Sequence, residues 1–129
     1  MSLKNTLAFD DIENYYTSVD RTLECLDKAI SRLKDLNRSG NSERDKEKNN
    51  RKIGELEQKI ALVEEKRSAF TANSHSINPP SAPQLDSLRD LIAEVERLNT
   101  NQAIFNEIVQ LSTAALTEFN NIHPNQGGN

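Results

Sequence analysis

The sequence predicts an all-α fold, an elongated antiparallel coiled coil or helical bundle of three long helices, or of four if the chain turns at Asn99–Asn101. Apolar residues recur at alternating spacings of three and four, the pattern of helices that pack along their whole length. Only four Gly and four Pro interrupt 129 residues, so long elements are expected. Hydrophobic residues make up 35% of the chain, below the roughly 45–50% of ordinary globular domains. The apolar side chains must therefore lie on narrow stripes.

The first helix is predicted over residues 10–37. Its seam has spacings of 4, 3, 4, 3, 4 and 3, and consists of Ile12, Tyr16, Val19, Leu23, Leu26, Ile30 and Leu33. Asp10 or Asp11 is expected to cap its start, and Gly40 to end it in the left-handed conformation.

The second helix is predicted over residues 42–73. Ser42, with Asp45 three residues later, is a plausible N-terminus. The stretch Asn41–Lys52 has five basic and three acidic residues and no apolar one. Because its charges alternate and no aromatic residue is present to stack a base, it is interpreted as a solvated helix surface rather than a nucleic-acid or membrane patch. The apolar seam resumes at Ile53 and continues to Phe70.

A Pro/Ser linker is predicted over residues 74–81, since its prolines exclude helix. Ser81 with Gln84 forms a capping box that opens a third helix, predicted over residues 82–122. Within it, "LNTN" (98–101) allows two interpretations. The preferred one is a single long helix with a register change at Leu98. The alternative is a tight turn at 99–102, where Asn takes the left-handed conformation.

Residues 10–122 are expected to form one helical domain, between a flexible N-terminus (1–9) and a disordered tail (123–129). The net charge of −4 gives no general attraction to nucleic acid or anionic lipid. The sequence shows neither a membrane-spanning run nor a secretory signal. With the single Cys25, this favours a cytoplasmic protein, although a secreted effector without disulfides would look the same.

The residues that could carry chemistry are few. His75 and His123 are isolated and expected to be exposed, and neither has a metal-ligating neighbour at the required spacing. Cys25 is interpreted as a passive thiol. Because no Gly-rich phosphate loop or converging carboxylate pair is present, we expect no enzyme activity, cofactor, metal ion or small-molecule substrate.

The stretch after Phe105 is apolar over more than half of the helix circumference, which predicts a central helix or one covered by a partner. The run "LIAEVERLNTNQAIFNEIVQLSTAAL" (91–116) resembles the C-terminal helix of flagellar junction-protein export chaperones, which has a leucine–asparagine step before an apolar partner-binding face. The asparagine spacing is shifted by one here. Helix-in-groove binding and this resemblance imply a set of partner-contacting residues. They are Ile104, Phe105, Ile108, Val109, Leu111, Leu116 and Phe119.

The predicted function is a non-catalytic protein–protein interaction module, adaptor-like or export-chaperone-like. It would hold an amphipathic partner helix or a second copy of itself on the apolar C-terminal helix. Two alternatives stay open: an inhibitor or immunity-type protein that blocks an enzyme or toxin through an acidic surface, and a structural coiled-coil homo-oligomer.

Overall fold

A computed structural model describes residues 7–39, 42–73, 76–99 and 101–124. The described chain forms four helices, α1 (Phe9–Arg38), α2 (Glu43–Thr71), α3 (Ala82–Arg97) and α4 (Phe105–Ile122), and a short 3₁₀ turn, Gln102–Ile104, precedes α4. The all-helical bundle is confirmed. The single helix over 82–122 is wrong, because the chain turns between α3 and α4. Over the described ranges no helix is both long and apolar enough to cross a membrane.

Helix α1 is the central element and packs against each of the other three helices. Contacts at its two ends show that α2 runs antiparallel to it: the hydroxyl of Tyr16 lies 2.8 Å from Thr71 Oγ1, and Asn37 donates to Asn50 Oδ1 at 2.8 Å. The antiparallel arrangement predicted from the sequence is therefore present in this pair of helices.

Helix α3 runs in the same direction as α1, because Arg21 donates to the carbonyl of Leu85 and Arg32 to that of Leu98. Helix α4 then returns antiparallel, which brings His123 to Tyr15 near the start of α1. Consequently α2 and α4 lie parallel to each other on α1.

The core consists of side chains that all four helices contribute. One end holds the leucines of α1 with Ile53 and Leu56 of α2 and Ile104 and Ile108 near the start of α4. The other end contains aromatic residues, and a third cluster fills the space between α1, α3 and α4. The buried members of the aromatic end are Tyr15, Val19, Val63, Phe70, Ile77, Phe119 and Ile122.

Of the three N-caps predicted from the sequence, two are present and the third is wrong. Ser42 accepts a hydrogen bond from the Asp45 amide, and Ser81 and Gln84 form the reciprocal capping box. The predicted Asp cap of α1 is wrong, since Ala8 occupies the cap position without a side-chain hydrogen bond, and Asp10 and Asp11 lie in the first turn. There their charge still favours the positive end of the helix dipole. Gly40 lies outside the described residues.

The turn after α3 is stabilised by a residue far away in sequence. The Arg32 guanidinium of α1 donates to the carbonyls of Val95 (3.2 Å), Glu96 (2.6 Å) and Leu98 (2.8 Å). The last carbonyls of a helix lack partners from a following turn; here that of Val95 also accepts the Leu98 amide at 3.4 Å. Leu98 itself is extended, with ψ of 140°. A cation at the C-terminal end of α3 is also favoured by the helix dipole.

Asn101 begins the next element, since its side-chain oxygen accepts the amide of Ala103 at 3.0 Å. One interpretation of the sequence placed a left-handed Asn in this turn. The described residues of the turn include no Asn in that conformation. Among described residues other than Gly, only Asn73 has a positive φ (61°), just after α2 ends.

The linker between α2 and α3 packs onto the bundle. Ile77 is fully buried in the aromatic end of the core. Asn78 donates its backbone amide to the carbonyl of Ile122 at 2.7 Å and its side-chain amide to that of Asn121 at 2.9 Å. The linker thus binds two of the carbonyls that end α4.

The exposure predicted for His123 is wrong. Its side chain is fully buried and its Nδ1 lies 2.7 Å from the hydroxyl of Tyr15. Burial also raises the pKa of Tyr15, so this phenol stays protonated at neutral pH and can donate to the imidazole. His75 lies outside the described residues.

Candidate interaction groove

Helices α2 and α4 leave a groove on the surface of the bundle. Across the described chain, α1 packs closely on every helix and α3 on α4, whereas the backbones of α2 and α4 approach each other less closely. A cavity of about 100 Å³ lies between them. We call this the α2/α4 groove. Its lining consists of Lys59, Leu62, Val63 and Lys66 from α2 and Leu116, Phe119 and Asn120 from α4.

The floor of the groove is apolar. Val63 and Phe119 are buried members of the aromatic end of the core, and half-buried Leu116 packs against both α2-containing clusters. Leu62 stands on the rim and is 42% exposed. The only other exposed large hydrophobic residue in the described ranges is Phe9, at the start of α1.

One wall of the groove is basic. Lys48, Lys52, Lys59 and Lys66 share a face of α2 with Glu55 and Leu62, since successive members of this set are four or three residues apart. Glu55 is already paired with Lys52, at 3.0 Å. We call these four lysines the α2 lysine stripe.

The stripe contacts α4 at two described points. The Lys48 ammonium lies 4.2 Å from the centroid of the Phe105 ring, within the range of a cation–π interaction. Further along, Lys66 lies 3.4 Å from Asn120 Oδ1 and 3.5 Å from the carbonyl of His123. The stripe therefore lies beside α4 over most of its length, and two of its members, Lys59 and Lys66, line the groove.

Lys66 is the most buried member of the stripe, with 8% of its surface exposed. Burial lowers its pKa, and the positive charge of Lys59 lowers it further. Both of its acceptors are neutral oxygens, and none of the ion pairs among the described residues includes it. The groove thus contains a buried ammonium without a carboxylate partner in the described chain.

The structure divides the predicted partner-contacting residues into two groups. Ile104, Ile108 and Phe119 are buried in the core of the chain itself. The other four are half-buried: Phe105, Val109, Leu111 and Leu116.

These four do not share one face of α4. Phe105 and Leu116 lie towards α2, whereas Leu111 packs against the buried cluster that α1, α3 and α4 form. The half-buried members of the predicted set therefore lie on two sides of α4, which have different neighbours.

The broad apolar surface of α4 is explained largely within the chain. Helix α4 contacts α1 and α3 directly and shares core clusters with α2. Because three helices surround it, most of its circumference must be apolar. The apolar composition of α4 therefore does not by itself require an external partner.

The described residues present little else that could carry chemistry. Burial, with a smaller contribution from Glu24, raises the pKa of Cys25 to about 11, so this fully buried thiol is protonated at neutral pH. Within the described part of the chain no three His, Cys, Asp or Glu residues come together as metal ligands.

A larger cavity, of about 430 Å³, lies between α1 and α3, but only Val95 among its lining residues is apolar. Pockets for small molecules are predominantly apolar, so this one does not resemble such a site.

Sequence reasoning missed the lysine stripe, although a signal for it was present. Lys52, Lys59 and Lys66 are whole heptads apart, a spacing that places them on one side of the apolar seam of α2. The turn after α3 determines whether α4 lies on that side of α2. The sequence left two interpretations of this turn open.

No family model matches the chain, no curated protein matches it in sequence, and no solved structure matches it in fold.

Proposed function

We propose that the protein is a non-catalytic interaction module that holds an amphipathic helix of another protein in the α2/α4 groove. The observation that carries the proposal is the groove itself, where two parallel helices share an apolar floor but leave Leu62 exposed beside it. Helix-in-groove recognition needs this combination, an apolar channel bordered by helices and able to receive side chains from one face of a third helix.

The size of the cavity supports a protein partner over a small molecule. Its volume of about 100 Å³ is well below the ~300–1,000 Å³ typical of small-molecule sites. It exceeds the ~30 Å³ that one water molecule occupies in the liquid. A volume in this range suits one anchoring aliphatic side chain, with neighbouring side chains lying along the rim.

The proposal is tested by replacing Leu62 with the photo-crosslinking residue p-benzoylphenylalanine in the native host. Phe9, which is 73% exposed, is the matched control because it is an exposed apolar residue outside the groove. We expect a discrete adduct from position 62 but not from position 9, with the crosslinked partner peptide mapping to an amphipathic helix.

Identical adducts from both positions would contradict the proposal, because they would reflect general surface stickiness. An adduct between two copies of this chain would favour the homo-oligomer instead.

The second candidate is an inhibitor that acts through an acidic surface. It is supported by the exposed carboxylates of Asp20, Glu24 and Asp27, which are four and three residues apart on α1. Replacing these three by Asn, Gln and Asn would abolish binding if the inhibitor hypothesis holds. The same changes would leave the position-62 adduct intact if the groove is the binding surface.

A further inference from the structure

We infer that the segment held in the α2/α4 groove is acidic, with carboxylates that lie against Lys59 and Lys66 while its apolar side chains contact Leu62 and Leu116. This inference rests on the proposed function and adds the chemical class of the partner.

The local charge of the groove favours an acidic partner. None of the seven residues that line the groove is acidic, and two of them are lysines. Between Lys48 and Lys66, the only carboxylate on the face of α2 that carries the lysine stripe is Glu55, which is paired with Lys52. The groove is therefore positive on a chain whose net charge is −4. Complementary charge steers and selects partners, so a partner rich in Asp or Glu is favoured here over a basic or neutral one.

The environment of Lys66 also favours a carboxylate from a partner. A buried cation is costly unless hydrogen bonds and an opposite charge compensate for its lost hydration. Lys66 has two neutral acceptors at 3.4 and 3.5 Å, which is the long end of hydrogen-bond geometry. A carboxylate arriving from a partner would supply the missing charge. The lowered pKa of Lys66 agrees with this incomplete compensation.

The spacing of the lysines along α2 matches the period of a partner helix. Lys52, Lys59 and Lys66 recur every seven residues, or about 10.5 Å along the helix axis. A partner helix lying along α2 presents its own side chains with the same period. Glu residues one heptad apart, beside an apolar seam, would face successive lysines while the seam covers Leu62 and Leu116. The expected motif is thus an amphipathic helix with Glu on one flank.

The inference is tested with a display library of helical peptides that share a leucine seam. The flanking heptad positions vary among Glu, Gln and Lys, and the bait is the full chain. We expect selection of Glu at those positions, with affinity that falls as ionic strength rises. Lys59→Gln should weaken the selected peptides by about threefold, the scale of one exposed ion pair. Lys34→Gln, a matched change at an exposed position on α1, should leave affinity unchanged.

Three results would overturn the inference, and they separate its failure from that of the proposed function. If the selected peptides carry Gln or Lys at the flanking positions and Leu62→Glu abolishes their binding, the acidic partner is refuted but the groove is kept as the binding surface. Peptides that bind regardless of Leu62→Glu, or no enrichment at all, would refute both. Light scattering that finds a stable dimer, in which a second copy covers the groove, would also overturn it.

Discussion

Replacement of Arg32 by Ala tests why the chain turns between α3 and α4. Its guanidinium binds the carbonyls of Val95, Glu96 and Leu98, and its side chain is only 23% exposed. Hydrogen bonds to a charged group contribute ~1.5–3 kcal/mol each when they are shielded. The carbonyl of Glu96 lies at the surface, so water replaces part of the loss. We expect Arg32→Ala to lower the free energy of unfolding by roughly 2–4 kcal/mol.

The matched control is Arg38→Ala. Both arginines belong to α1 and pair with Asp35, but Arg38 is 71% exposed, and exposed pairs contribute about 0–1 kcal/mol. The assay is urea unfolding at neutral pH, followed by circular dichroism and fitted with a common slope. If Arg32→Ala and Arg38→Ala destabilise the chain equally, the guanidinium does not stabilise the end of α3, and our explanation of the turn is refuted.

Three further predictions concern the thiol and the caps. Because the Cys25 pKa is raised from 9.0 to about 11, the unfolded thiol ionises first, so stability is lost as pH rises through that window. Between pH ~8 and ~10 the wild type should lose about 1 kcal/mol more than Cys25→Ala in urea unfolding. Ser81→Ala removes the capping box of α3 and should cost ~0.5–2 kcal/mol in the same assay, whereas no measurable loss would mean that Gln84 alone suffices. Asn101→Ala, which removes the acceptor for the Ala103 amide, should cost a similar ~1 kcal/mol and increase amide hydrogen exchange at the start of α4; unchanged exchange would show that the cap is dispensable.

Local patterns in the sequence predicted the helices well where packing follows a single seam. The seam from Ile12 to Leu33 predicted a helix over 10–37, and α1 spans Phe9–Arg38. The caps at Ser42 and Ser81 were also visible, because each involves residues only three positions apart. Interactions of this range are encoded locally.

The wrong predictions concern features that contacts between residues far apart in sequence determine. The "LNTN" stretch has neither Gly nor Pro, and its turn depends on Arg32, more than sixty residues earlier in the chain. His123 looked like an exposed tail residue because nothing near it in sequence indicates the hydroxyl of Tyr15. Sequence periodicity gives the faces of a helix but not which helix covers each face.

The same limit applies to the candidate site. The apolar breadth of α4 predicted a binding surface, yet Ile104, Ile108 and Phe119 are used in the core. Phe119→Ala would therefore leave a cavity in the core, and the loss of binding in such a variant would not identify a contact. Leu62, which the sequence pattern did not single out, is the more informative position because it is exposed at the rim.

The most direct measurement of the central idea is methyl NMR of the full chain, labelled at Leu and Val, during titration with a Glu-flanked helical peptide. Shifts concentrated at Leu62, Val63 and Leu116, which line the α2/α4 groove, are the predicted result. Shifts concentrated instead at Leu91 and Leu111, which pack against the cluster of α1, α3 and α4, would contradict it, as would a saturating titration that moves none of the groove methyls.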